Sequence, residues 1–261
     1  MSYSYSQGPR AAGTGRSLTQ PWAPRPERRP VRATPLTRRY EISWLTPDGV
    51  ETATRIAPAA APFEEAFAAF ARGTLIATRD GPVAVEDLVP GQEIMTADGG
   101  AETLLWLGSM TLFPKTSAEV DPARLVRLTA DCFGLGRPMP DLVLGPHARI
   151  LLNGARLRSR FGLEAAFAPV RALADGVAVI EVAPAAPITV FHLMLPRQAG
   201  IRAAGMEIES YHPGPGFAEL TDPQTRALFF TLFPHVDRLD QFGAAPVPRL
   251  TRFEAEEVAA G

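Results

Sequence analysis

From Arg39 onward the chain alternates. Tyr40, Ile42 and Trp44 are apolar, Glu41 and Ser43 are polar, and Pro47-Asp48-Gly49 follows. Such alternation buries one face of a strand, and the Pro-Asp-Gly run supplies a turn, so the pattern predicts a hairpin with Glu51–Ile56 as return strand. Phe63, Phe67 and Phe70 recur at spacings of four and three, which predicts a short helix over Pro62–Ala71. After Gly73 the period returns to two. Thr74–Thr78, Pro82–Leu88 and Gln92–Thr96 read as strands, and Glu102–Phe113 as one long strand or a pair. Asp80-Gly81, Pro90-Gly91 and Asp98-Gly99-Gly100 break them.

Residues 114–141 are irregular apart from a strand at Leu125–Thr129. Strands resume at Leu142–Leu144, at Arg149–Leu152 with an Asn153-Gly154 turn, and at Val177–Val182, Ile188–Leu195 and Met206–Ser210. Two Pro-Gly pairs in Ser210–Gly216 end the pattern. Asp222–Phe233 reads as a helix with Thr221 as its cap and Pro223 in its first turn, and the last residues read as a loose acidic tail. Short runs with a turn every eight to twelve residues predict a mostly β domain of many short strands with few helices.

Composition adds a tail to this picture. Residues 1–37 are rich in Ser, Gly, Pro and Arg and lack periodicity, so they cannot bury enough apolar surface to offset the entropy of ordering. A disordered basic N-terminal tail is expected. Residues 1–39 carry +7, against −9 for the rest. The overall net charge of −2 argues against the whole chain being a nucleic-acid binder, leaving at most weak contacts of the tail. One cysteine, Cys132, permits no internal disulfide. No apolar run reaches the ~18 residues of a membrane span and no signal core follows the first positive charges, so a cytoplasmic location is the expectation.

The motifs carry a more specific message. Phe70-Ala71-Arg72-Gly73-Thr74-Leu75-Ile76-Ala77-Thr78, Gly81-Pro82, Val85-Glu86-Asp87-Leu88-Val89-Pro90-Gly91 and Thr96-Ala97-Asp98-Gly99-Gly100 follow one another in order. So do Leu105-Trp106-Leu107-Gly108, Leu142-Val143-Leu144-Gly145-Pro146, Pro169-Val170-Arg171-Ala172-Leu173, Phe191-His192-Leu193 and Glu209-Ser210-Tyr211. Together they resemble a Hint (Hedgehog/intein) domain in its bacterial stand-alone form, over roughly residues 69–214. The remaining chain then divides into the tail at 1–37, a hairpin and short helix at 38–68, and an extension with one helix at 215–261.

The resemblance implies self-catalysed rearrangement of a peptide bond, seen as autoprocessing, splicing or cleavage. A Cys or Ser at the domain's first position attacks the preceding carbonyl, and a His in a later block, helped by a Ser or Thr, protonates the leaving nitrogen. Carried onto this chain, the nucleophile position is Ala69, the hydroxyl position is Gly145 and the His position is Ala148, with His147 displaced by one residue. The polar positions of the last block fall near Pro196 and Gln198. The resemblance therefore implies a degenerate site, intein-like in frame but without its chemistry, and a binding or scaffold role for an unidentified protein partner.

Other candidates are weaker in sequence. His192 stands on a family position within an apolar strand, where either a satisfied core imidazole or a residual acid/base group fits. Thr74 is a hydroxyl near the junction, and a turn-satisfying role is the simpler reading. Cys132 has only Arg137 as a basic neighbour. His147, His192, His212 and Asp131 show no metal-ligand spacing, and Gly134-Leu135-Gly136 has no strand leading into it, so no metal and no cofactor are expected. Two alternatives to an inert scaffold remain. One is residual autoproteolysis through Thr74 or His147; the other is an enzyme of another class using His192, Arg72 and Glu209.

Overall fold

Thr37–Thr46 and Gly49–Pro58 form the predicted hairpin, with Tyr40, Ile42 and Trp44 buried on one face. The computed structural model describes residues 36–114 and 124–259; the tail reading of residues 1–35 lies outside the described residues. The hairpin edges an antiparallel sheet of eight strands. Its order is Val179–Val182, Leu125–Leu128, Leu142–Leu144, Phe70–Ala71, Ile188–Met194, Trp106–Leu112, Thr37–Thr46, Gly49–Pro58. A second antiparallel sheet runs Ala165–Pro169, Arg149–Asn153, Met206–Glu209, Gly200–Ala203, Leu75–Thr78, Glu93–Met95, Ala101–Thr103, with Gly81–Ala84 paired to Leu75–Thr78. The chain is mostly β, built of many short strands.

Three chain segments cross from the first sheet into the second. Phe70–Ala71 passes through Gly73 into Leu75–Thr78, Leu142–Leu144 through Pro146 into Arg149–Asn153, and Ile188–Met194 into Gly200–Ala203. The first crossing begins in the middle of the first sheet, since Phe70 pairs with both Leu144 and Phe191. One core fills the space around these crossings, with Phe70, Ile76, Leu144, Ile150, Ile201 and Ile208 buried. A second, aromatic core joins the hairpin and the C-terminal segment to the first sheet. In it Trp106 lies 4.5 Å from Phe233 between ring centroids, and its indole N–H donates to the Leu232 carbonyl at 2.8 Å. Each aromatic ring so buried contributes about 2–3 kcal/mol.

Several elements differ from expectation. The Pro62–Ala71 helix is only Ala61–Glu64, although Phe63, Phe67 and Phe70 are all buried. Ladder bonds prevail over local periodicity here: Ala69 N–H donates to Phe191 and Ala69 C=O accepts from Gly145, which holds the backbone extended. Pro82–Leu88 is a strand only to Ala84 and then a 3₁₀ turn over Val85–Asp87. Asn153-Gly154 leads into a helix, Ala155–Phe161, followed by the strand Ala165–Pro169. Asp222, not Thr221, caps Pro223–Phe230, its carboxylate accepting from Gln224 and Thr225 N–H. Thr221 instead donates its hydroxyl to the Phe217 carbonyl. The acidic end is not loose. Arg252–Ala259 is a helix with Ala255 buried, opened by a reciprocal Thr251–Glu254 capping box. Among the described residues no helix is long and apolar enough to cross a membrane.

Candidate functional site

The Ala68–Ala69 peptide lies where the first two crossings meet. Both residues are 0% exposed. Ala69 N–H donates to Phe191 C=O at 2.9 Å, Gly145 N–H to Ala69 C=O at 2.8 Å, and His147 N–H to Ala68 C=O at 3.0 Å. The peptide is thus held on both sides by backbone bonds and shielded from water. Gly145 presses directly on it. A Cβ added there would sit 2.3 Å from the Ala68 oxygen and 2.6 Å from its carbonyl carbon, well inside the ~3 Å that real contacts respect. Ala148 is buried, its N–H turned to Gly145 C=O at 3.3 Å. A methyl group, a hydrogen and a second methyl group occupy these three positions, so none can attack a carbonyl or donate a proton.

His147 contributes its backbone N–H to the junction. Burial, with the charges of Arg149 and Arg171, holds its imidazole at about 4, so the ring is neutral at pH 7. Thr74 is tied up as well: its hydroxyl donates to the Ala71 carbonyl at 2.8 Å. Arg72 pairs with Glu86 at 3.5 Å in a groove beside Ser43, Leu107 and Thr189. That groove is not where His192 and Glu209 converge, so the three-residue set His192, Arg72, Glu209 is not brought together.

His192 and Glu209 do meet. They line one cavity of about 20 Å³, room for about one water, together with Glu65, Arg149, Tyr211 and Arg249. The His192 ring lies edge-on to Phe70 and Tyr211, and its Nδ1 accepts the Leu193 N–H at 3.1 Å. Burial first, then the charges of Arg249, Arg149 and His147, push its pKa well below the imidazole norm. Glu209 accepts from Arg249 Nε at 2.8 Å and from Gln198 Nε2 on the same oxygen. Arg249 Nη2 also donates to His212 C=O at 2.6 Å, and Gln198 Oε1 accepts Val247 N–H at 3.0 Å. Arg249 carries no sequence signal, because it lies forty residues beyond its partner in a stretch without motif.

Cys132 sits in the irregular connection, its thiol raised chiefly by burial. Among the described residues no three His, Cys, Asp or Glu side chains are grouped as a metal site.

The four histidines make acid stability a test of this packing. All four are held below their ordinary value, chiefly by burial, His147 and His235 at about 4. Unfolded, they would take up protons near pH ~6.5. The unfolded chain therefore binds protons that the folded one refuses, and stability present above that pH is lost as pH falls towards 4. The unfolding free energy is expected to drop between pH ~6.5 and ~4.5 by more than ~1.4 kcal/mol per pH unit, the slope of one proton. A flat denaturant midpoint across that range would contradict the burial of these rings.

The family comparison bears on the same residues. The model of the Hint domain matches residues 68–215. The chain belongs to the Hint domain family. Among solved structures it is similar to the crystal structure of the MchDnaB-1 intein, at 13% identity and a TM-score of 0.31, over 54% of this chain and 98% of that one. No curated protein matches the sequence. The matched Hint domain opens at the Ala68–Ala69 junction and includes His147, Arg149, His192 and Glu209. Glu65 and Arg249, which line the small cavity with His192 and Glu209, lie outside it. The site therefore combines the Hint domain with its two flanking segments.

Proposed function

We propose that this Hint domain does not cut itself and serves as a binding or assembly module. The observation that carries this reading is the contact of Gly145 with the Ala68 carbonyl. In an autoprocessing Hint domain a hydroxyl or imidazole must approach the scissile peptide, and here the backbone fills that space. Ala69 supplies no nucleophile and Ala148 no acid, while His147 is neutral and one residue displaced. The complete burial of both alanines also keeps water from acting in place of a side chain.

The C-terminal segment supports the same reading. Phe229, Phe233 and Phe242 pack on Tyr211, Phe233 also on Trp106 and Phe217 on Phe229, so the chain beyond the Hint match is part of the core. The hairpin ahead of the junction enters the same core through Tyr40, Ile42 and Trp44, so neither flank is set apart for release.

The Ala69→Cys variant tests this directly. It restores the thiol and leaves Gly145 and Ala148 unchanged. Incubated with excess small thiol, it is expected to remain full length on a denaturing gel. Appearance of fragments 1–68 and 69–261 would mean that a nucleophile alone suffices and that the Gly145 contact does not block the junction.

A further inference from the structure

Two opposite charges stand unpaired in one cleft. Arg149 and Glu65 both line a cleft of about 670 Å³, the size of a small-molecule site. Among the described residues neither side chain makes a hydrogen bond or an ion pair, and Arg149 Nε is fully buried without a partner. The polar neighbours are already engaged: Arg249 with Glu209 and the His212 carbonyl, Gln198 with Glu209 and Val247, and Thr221 with the Phe217 carbonyl. A guanidinium left this way is costly, since the carboxylates of Glu209 and Glu65 act on it only at a distance and no acceptor replaces its lost water. The rest of the wall is apolar, from Pro62, Pro213, Phe217 and Val247.

We propose that this cleft binds a small zwitterion of the amino-acid class, its carboxylate on Arg149, its ammonium on Glu65 and its apolar side chain against Phe217 and the prolines. The guanidinium fork matches a carboxylate in two parallel bonds. A simple anion would satisfy Arg149 but face the Glu65 carboxylate, and a simple cation would face Arg149. A ligand carrying both charges answers both. The proposal rests on the reading of the protein as a binding module, and it draws on residues from the Hint domain and from both flanks.

The test uses the full chain and three probes of one shape: L-phenylalanine, 3-phenylpropionate and phenethylamine. Calorimetric titration is expected to show L-phenylalanine binding, with each single-charge probe weaker by at least about tenfold. Arg149→Met and Glu65→Gln are each expected to weaken L-phenylalanine by a similar factor. Arg149→Met should keep its melting temperature, because it removes a cation that has no partner. Absence of heat at millimolar L-phenylalanine would overturn the proposal, as would 3-phenylpropionate binding equally well. Intact-mass measurement of the same samples separates the two claims. An uncut chain that binds none of the probes sinks the ligand alone, and a cut chain sinks the inert reading whatever it binds.

Discussion

Gly145→Thr, which would place a hydroxyl against the Ala68 carbonyl, is expected to destabilise the protein by about 3 kcal/mol or more. The cause is the distance between the first added atom and its neighbour. A Cβ at this position meets the Ala68 oxygen at 2.3 Å, and that neighbour is backbone, not the movable end of a side chain. The Ala68–Ala69 peptide cannot yield readily, since Phe191, Gly145 and His147 each bond to it. In a chain of this size each kcal/mol shifts melting by about 2–4 °C, so a fall of about 6–12 °C is expected by calorimetry. A variant melting within about 2 °C of the wild type would show that the junction is looser than its hydrogen bonds imply. Placing a hydroxyl at this position therefore needs a moved backbone as well as a new side chain.

Glu209→Ala is expected to be comparably damaging, at about 3–5 kcal/mol. Glu209 is 3% exposed and a single carboxylate oxygen receives both Arg249 and Gln198. Truncating it leaves a guanidinium and an amide facing each other in a site with little room for water. Arg249 is itself only 21% exposed, so solvent does little to replace the lost partner. The double variant Glu209→Ala with Arg249→Met should recover part of the loss, because it removes the orphaned charge as well. Additive losses in the denaturation midpoints would mean that the two side chains do not act as a pair.

Much of this fold is legible in the sequence because it rests on period and turn chemistry. Tyr40, Ile42 and Trp44 announce a half-buried strand, and the ordered turn motifs from Gly73 to Gly100 announce the β domain. Pattern and fold part company where distant pairing overrides local periodicity, as at Phe67–Phe70, whose helical spacing is real but whose backbone is held by Phe191 and Gly145. Elsewhere a local signal is present but easily passed over. Thr251-Arg252-Phe253-Glu254 is a capping-box sequence, and Asp222-Pro223 is a stronger helix start than Thr221. The candidate site divides in the same way. Ala69, Gly145 and Ala148 can be placed from motif order, whereas the encounter of Glu65, Arg149 and Arg249 depends on three segments far apart in the chain.

The inert reading meets its most direct test in the intact mass of the purified wild-type chain, held at neutral pH with and without hydroxylamine, which would cleave any ester at the junction. One species at the full-chain mass is expected under both conditions. A pair of fragments divided between Ala68 and Ala69 would contradict it.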